Sequence, residues 1–130
     1  MIMRFLFLTL ILGLLFACDQ TVQQQETSDP AAVVTAFFEA MKTEDLSKAK
    51  SFLSENSRLS FTAFENNLSS LDEARRTTFL SPFKLNIQQV NCSSEGGSMF
   101  CSVCCSDEGD IRLEMTQVNE QWFIQEEFGY

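Results

Sequence analysis

The sequence predicts an α+β fold, in which three N-terminal helices pack on a curved four-stranded antiparallel sheet. Apolar residues recur at helical spacing from Pro30 to about residue 79, and beyond Pro82 they alternate with polar residues as in strands buried on one face. Helices followed by a run of hairpins typically form one layer against one face of such a sheet. Many of the 13 Phe residues of the chain are expected to pack between the two layers.

The first helix is expected to begin at Pro30. Ser28 or Asp29 precedes it as a capping residue, and proline suits the first turn because its missing N–H would be unpaired there. The residues that follow form one broad apolar face, which consists of Val33, Val34, Phe37, Phe38 and Met41.

Two further helical segments are expected before the sheet. One runs from about Asp45 to Leu53, and the other covers roughly Asn56 to Phe79. Ser70 and Glu73 fit a capping box, so the last segment is expected to break and restart near Ser70. The apolar positions of the two segments are Leu46, Ala49, Phe52 and Leu53, and then Leu59, Phe61, Phe64, Leu68 and Leu71.

Four strands are expected after the helices. In the first, Phe83, Leu85 and Ile87 alternate with polar residues, and the alternation then slips by one residue to Val90 and Cys92. A bulge between the two halves of this strand would produce that slip. The other three strands are expected at Met99–Cys105, at residues 111–116 and at Gln121–Phe128.

The charge and composition exclude several classes of function. The chain has 9 Lys and Arg against 18 Asp and Glu, a net charge of −9, and no basic cluster, so nucleic acid is not expected as a partner. It contains no His, which excludes Ser-His-Asp and Cys-His catalytic arrangements. No metal and no cofactor is expected.

Residues 1–17 have the pattern of an export signal. Arg4 is the only charged residue, and the apolar run that follows, residues 5–17, is shorter than the roughly 20 residues that span a bilayer. Leu15-Phe16-Ala17-Cys18 resembles the bacterial lipobox, and this resemblance implies cleavage before Cys18 and lipidation of its thiol and amine. The alternative is an ordinary secretory cut that leaves a thiol at Cys18.

Residues 18–28 are expected to form the lipidated Cys and a flexible polar tether. Val22 is the one aliphatic residue between Asp19 and Ser28, so this segment cannot bury enough apolar area to become ordered. Removal of Arg4 with the signal leaves a net charge of −10, so the lipid, and no basic face, must hold the protein at a membrane. The expected location is the cell envelope, at the inner or the outer membrane.

The folded part, residues 29–130, resembles a known family in two places. These are DPAAVVTAFFEAM at residues 29–41 and IRLEMTQVNEQWFI at residues 111–124. Both are similar to the small exported DUF4878 domains of the NTF2-like superfamily, which implies a cone-shaped α+β fold and, as a further expectation, a homodimer through the sheet. The superfamily contains enzymes and non-enzymes, so the resemblance implies little about activity.

Four cysteines remain in the folded part: Cys92, Cys101, Cys104 and Cys105. Cys92 and Cys101 lie on adjacent predicted strands around the turn at Gly96–Gly97, where a hairpin disulfide fits the oxidising conditions of the envelope. Four cysteines allow three full pairings, so the connectivity stays open. Buried thiols and a thiolate metal site, Cys101-x-x-Cys104 with Cys92 and Cys105, are the alternatives.

Ligand binding without catalysis is the expected function of the domain, with a small apolar ligand or an envelope protein as the partner. Alternatives are a structural domain without a ligand and an NTF2-like enzyme of the isomerase or dehydratase type. That enzyme would need a buried carboxylate, yet Glu39, Glu65 and Glu114 are expected to face solvent. The candidates to line the mouth of the cone, unless they are simply core, are Phe37, Phe38, Phe52, Phe61, Phe64, Phe83 and Trp122.

Overall fold

A computed structural model describes residues 29–104 and 110–129. The predicted signal peptide, Cys18, the tether and Cys105 therefore lie outside the described residues. Within the described ranges no helix is long and apolar enough to cross a membrane.

Within the described residues, four helices precede the sheet: α1 at Pro30–Lys42, α2 at Leu46–Ser51, α3 at Glu55–Ser70 and α4 at Glu73–Leu80. A 3-10 turn at Ser81–Phe83 follows α4. The α+β class is confirmed. Four helices are present in the described part of the chain where three helical segments were expected, because the third segment is divided into α3 and α4 near Ser70, where a break was expected.

The helix starts follow from short polar side chains. Asp29 caps α1 as predicted, since its Oδ1 accepts a hydrogen bond from the Ala31 N–H at 3.0 Å. The predicted capping box at Ser70 is wrong: Ser70 is the last residue of α3, and Asp72 caps α4 by accepting from the Arg75 N–H at 2.9 Å. Leu71 and Asp72 have extended backbones, which separates the two helices.

The sheet is an antiparallel meander in the order β1-β2-β3-β4. The strands are Gln89–Glu95, Ser98–Cys104, Ile111–Val118 and Gln121–Gln125. The first strand therefore begins six residues later than the predicted start at Phe83. Gln89 pairs with Cys104, the last residue of β2, so the segment before Gln89 has no strand beside it among the described residues. Leu85 and Ile87 pack against the core from outside the sheet.

The core lies between the helices and one face of the sheet. Because neighbouring strands are in register, Cys101, Leu113 and Ile124 point to this face and are buried. In the helical layer, α1 contacts β1, β2 and β4. Burial of a large apolar side chain contributes roughly 1.5–3 kcal/mol. The buried apolar residues that the helical layer contributes are Val33, Val34, Phe37, Phe38, Ala40, Met41, Ala49, Leu53, Phe61, Phe64, Leu68 and Leu80.

The outer edge of β4 is covered by the connection between α2 and α3. The Ile124 N–H donates to the Phe52 carbonyl and the Ser54 N–H donates to the Ile124 carbonyl, both at 2.9 Å. This parallel bridge at Leu53 satisfies backbone groups that an open edge would leave exposed. It also fixes the start of α3 against the sheet.

Candidate binding groove

An apolar groove lies between α4 and the segment that follows β4, residues 126–129, which we call the C-terminal segment. Its volume is about 840 Å³, within the range of roughly 300–1,000 Å³ that is typical of small-molecule sites. The apolar side chains that line it are Phe64, Leu71, Ala74, Phe79, Pro82, Phe83, Leu113 and Phe128.

One wall of the groove comes from the helical layer. The Phe64 ring of α3 lies 5.3 Å from the ring of Phe79 in α4 and 5.5 Å from that of Phe83 in the 3-10 turn. Phe64 is buried, whereas Phe79 and Phe83 are half-buried. The break between α3 and α4 allows α4 to fold against α3, so these rings form a continuous aromatic surface.

The opposite wall is the C-terminal segment. Its chain leaves the sheet after Gln125 because the Glu126 N–H donates to Ser57 Oγ at 2.8 Å and the Phe128 N–H donates to Ser60 Oγ at 3.2 Å. The predicted fourth strand, which extended to Phe128, is therefore too long. The Phe128 ring packs edge-to-face on Phe61, with the ring centroids 4.9 Å apart, and lies 6.1 Å from the Phe64 ring and 6.4 Å from the Phe83 ring. It therefore continues the aromatic surface of the helical layer.

Two side chains, those of Ser57 and Glu126, fix the point at which the chain leaves the sheet after β4. Ser57 is 3% exposed, and its Oγ also accepts a hydrogen bond from the Ser54 hydroxyl at 2.9 Å. The Glu126 carboxylate accepts a hydrogen bond from the Glu114 N–H at 3.0 Å and so contacts β3. The C-terminal segment is thus hydrogen-bonded both to α3 and to β3.

Three charged residues line the groove. Arg75 extends from α4, whereas Glu126 and Glu127 belong to the C-terminal segment on the other side. Arg75 Nε lies 3.5 Å from Asp72 Oδ2, and the Arg75 side chain is 77% exposed. The groove therefore combines an apolar interior with charges of both signs on opposing walls.

The predicted aromatic lining is only partly brought together here. Phe64 and Phe83 line the groove, but Phe37, Phe38 and Phe61 are buried in the core. Phe52 packs at the margin of the core. Trp122 lies elsewhere, in a smaller polar cleft of about 420 Å³ that it lines with Met99 and Thr116.

Two aromatic residues of the groove, Phe79 and Phe128, are absent from the predicted lining. Phe79 stands at the end of a segment in which Arg75, Arg76, Thr77 and Thr78 show no apolar period, so no sequence signal places its ring. Phe128 continues the alternation of β4 (Trp122, Ile124), which predicts an inward ring but not the detachment of the segment from the sheet.

The cysteines form a separate feature on the β1–β2 hairpin. Cys92 and Cys101 lie directly opposite each other, with 4.0 Å between the Cα atoms, and form the predicted hairpin disulfide. This disulfide takes up two of the four thiols of the alternative metal site. Cys104 lies on the other face of β2, and its thiol donates to Asp110 Oδ1 at 3.4 Å. Among the described residues no three His, Cys, Asp or Glu side chains are grouped to hold a metal ion.

The carboxylates considered for catalysis do not line the groove. Glu39 and Glu114 are exposed, and Glu65 forms an ion pair with Lys50. A general base needs a position in a cavity, within hydrogen-bonding distance of a substrate proton. None of these three side chains has that position in the groove.

The chain matches no protein-family model, no curated protein and no solved structure. Its own residues are therefore the basis for a functional proposal.

Proposed function

We propose that this protein is a bacterial lipoprotein of the cell envelope, anchored through lipid at Cys18, whose non-enzymatic NTF2-like domain binds a small apolar ligand. The single observation that supports ligand binding is the groove of about 840 Å³ between α4 and the C-terminal segment. Export and lipidation are supported by residues 1–18.

Burial of the groove walls by a ligand is energetically favourable. Phe79 and Phe83 are half-buried, so apolar ring surface remains in contact with water. Each 100 Å² of apolar surface that a ligand covers contributes about 2.5 kcal/mol. A ligand that covers both rings and the facing side of Phe128 thus gains enough to offset part of the entropy lost on binding.

A small ligand fits the surface better than an envelope protein does. A stable protein interface takes about 800 Å² from each partner and has an apolar centre. The large apolar residues that are well exposed in the described part are Leu59 of α3, at 74%, and Val118 of β3, at 53%. Single exposed apolar residues on different elements are ordinary surface features. The concave groove is the better-formed apolar surface.

Two threonines of α4 provide a matched pair for testing this site. Thr77 and Thr78 are both exposed, and each hydroxyl donates to the carbonyl four residues earlier, at 2.9 and 3.0 Å. Only Thr78 lines the groove. A phenylalanine at either position has the same effect on the helix itself, but only the one at position 78 fills the groove.

The experiment uses the mature chain, residues 18–130, produced without lipid as Cys18→Ser, and titrates it with the neutral apolar fluorophore N-phenyl-1-naphthylamine. We expect saturable binding that Thr78→Phe weakens about tenfold or more, equivalent to about 1.4 kcal/mol. Thr77→Phe should stay within about twofold of the parent, or under roughly 0.5 kcal/mol. Unaltered binding by Thr78→Phe, or no saturable binding, would contradict the proposal.

A further inference from the structure

We propose that the ligand of the groove is a single-chain zwitterionic lipid, with its acyl chain on the aromatic surface between α4 and the C-terminal segment and its phosphate and ammonium groups on Arg75 and Glu127. This inference rests on the proposed function, since it assigns the chemical class of ligand to the same groove. Three observations support it: the arrangement of charges, the availability of those charges and the net charge of the domain.

The arrangement of charges matches a head group that carries both signs. Arg75 stands on the α4 wall, and Glu126 and Glu127 stand on the facing C-terminal segment. A guanidinium binds phosphate through two parallel hydrogen bonds, and a carboxylate binds an ammonium group. A head group with an amine and a phosphate therefore offers each wall a group of opposite charge.

The two assigned side chains are accessible to a ligand. Arg75 is paired through Nε with the exposed Asp72. An ion pair between two exposed side chains is weak, so Arg75 can exchange Asp72 for a phosphate group. Glu126 already accepts a hydrogen bond from the Glu114 N–H. Glu127 is exposed, so the ammonium group is assigned to Glu127.

The overall charge favours a zwitterion over an anionic lipid. The predicted mature chain has 8 Lys and Arg against 18 Asp and Glu, and its net charge of −10 repels anions over the whole surface. A purely cationic amphiphile offers no anionic group to Arg75. The predicted tether of ten residues, with a reach on the order of 15–20 Å, keeps the domain close to the membrane in which such lipids occur.

The test measures displacement of N-phenyl-1-naphthylamine from the unlipidated mature chain by three amphiphiles with the same acyl chain. These are lysophosphatidylethanolamine, lysophosphatidylglycerol and a monoacylglycerol, all used below their micelle-forming concentrations. We expect the zwitterionic lipid to displace the fluorophore at about tenfold lower concentration than either of the others.

Charge-neutralising variants identify the contacts. Arg75→Gln and Glu127→Gln should each reduce the preference for lysophosphatidylethanolamine severalfold, measured in each variant as the ratio of its displacement midpoint to that of the monoacylglycerol. Arg76→Gln and Glu114→Gln are the matched controls: Arg76 pairs with Glu44 at 3.6 Å, Glu114 is exposed on the sheet, and neither lines the groove. Both controls should keep the preference of the parent.

The outcomes separate this inference from the proposed function. If all three amphiphiles displace the fluorophore equally and Thr78→Phe still weakens fluorophore binding, the assigned lipid class is wrong. The ligand site itself is then still supported. A preference that survives Arg75→Gln and Glu127→Gln overturns the assignment of the head group. Failure of the fluorophore to bind overturns both proposals.

Discussion

Ser57 connects two parts of the molecule, the start of α3 and the C-terminal segment, through one buried hydroxyl. Its backbone N–H donates to Ser54 Oγ at 3.3 Å, and its Oγ accepts from Ser54 and from the Glu126 N–H. The start of α3 is thereby linked to the C-terminal segment across 69 residues of sequence. Ser57 occurs among many serines, and nothing in the sequence distinguishes its role, because the partner is a backbone group far along the chain.

Ser57→Ala should lower the free energy of unfolding by about 1–3 kcal/mol, because the Glu126 N–H loses its acceptor in a partly buried site. Urea denaturation measures the change. Ser69→Ala is the control: the exposed Ser69 hydroxyl donates only to the Asn66 carbonyl of its own helix, so its loss should change stability by less than about 0.5 kcal/mol. Equal effects of the two substitutions would contradict this account of Ser57.

Helix boundaries show what local sequence can and cannot predict at the level of single elements. The start of α1 was predictable, because Asp29-Pro30 combines a capping carboxylate with a proline suited to the first turn. The position of the break after α3 was predictable, but the residue that caps α4 was not. Ser70 and Asp72 are both capping residues by type, and the choice depends on Leu71, which packs against the core and takes an extended backbone.

Asp72→Ala should destabilise the protein by about 1 kcal/mol, because the Arg75 N–H loses its capping partner at the start of α4. Ser70→Ala should cost less than about 0.5 kcal/mol, since the Ser70 hydroxyl only donates to the Asn67 carbonyl within α3. Thermal unfolding of the two variants provides the comparison. A larger loss in Ser70→Ala would restore the capping box predicted from the sequence.

The β1–β2 hairpin is closed covalently by Cys92–Cys101, across nine residues of sequence. Reduction of the parent protein should lower its stability by about 2–3 kcal/mol, as expected for a short closed loop. Urea denaturation with and without a phosphine reductant measures this loss. The double variant Cys92→Ala/Cys101→Ala should be insensitive to reductant, whereas Cys104→Ser should respond as the parent does. A Cys104→Ser protein that no longer responds would place the bridge elsewhere.

At the scale of the whole molecule, the order of helices and hairpins predicted the α+β class, but the groove was not predictable. Periodicity shows that Phe61, Phe64 and Phe83 face inward. It does not show which of them contact another layer and which border an open space. That difference depends on how α4 folds back on α3 and on where the C-terminal segment leaves the sheet, and both depend on contacts distant in sequence.

The proposed membrane attachment concerns the whole molecule, and we expect it to require Cys18. A single acyl chain holds a protein only marginally, whereas two or more, at about 0.8 kcal/mol per buried CH₂, hold it stably, and the acidic domain has no basic face to assist. Intact mass spectrometry of the membrane fraction should give residues 18–130 plus lipid. Cys18→Ser should abolish this species, whereas Cys104→Ser, which also removes one thiol, should retain it. A soluble, unlipidated chain that still contains residues 1–17 would exclude the anchor and, with it, the supply of membrane lipid to the groove.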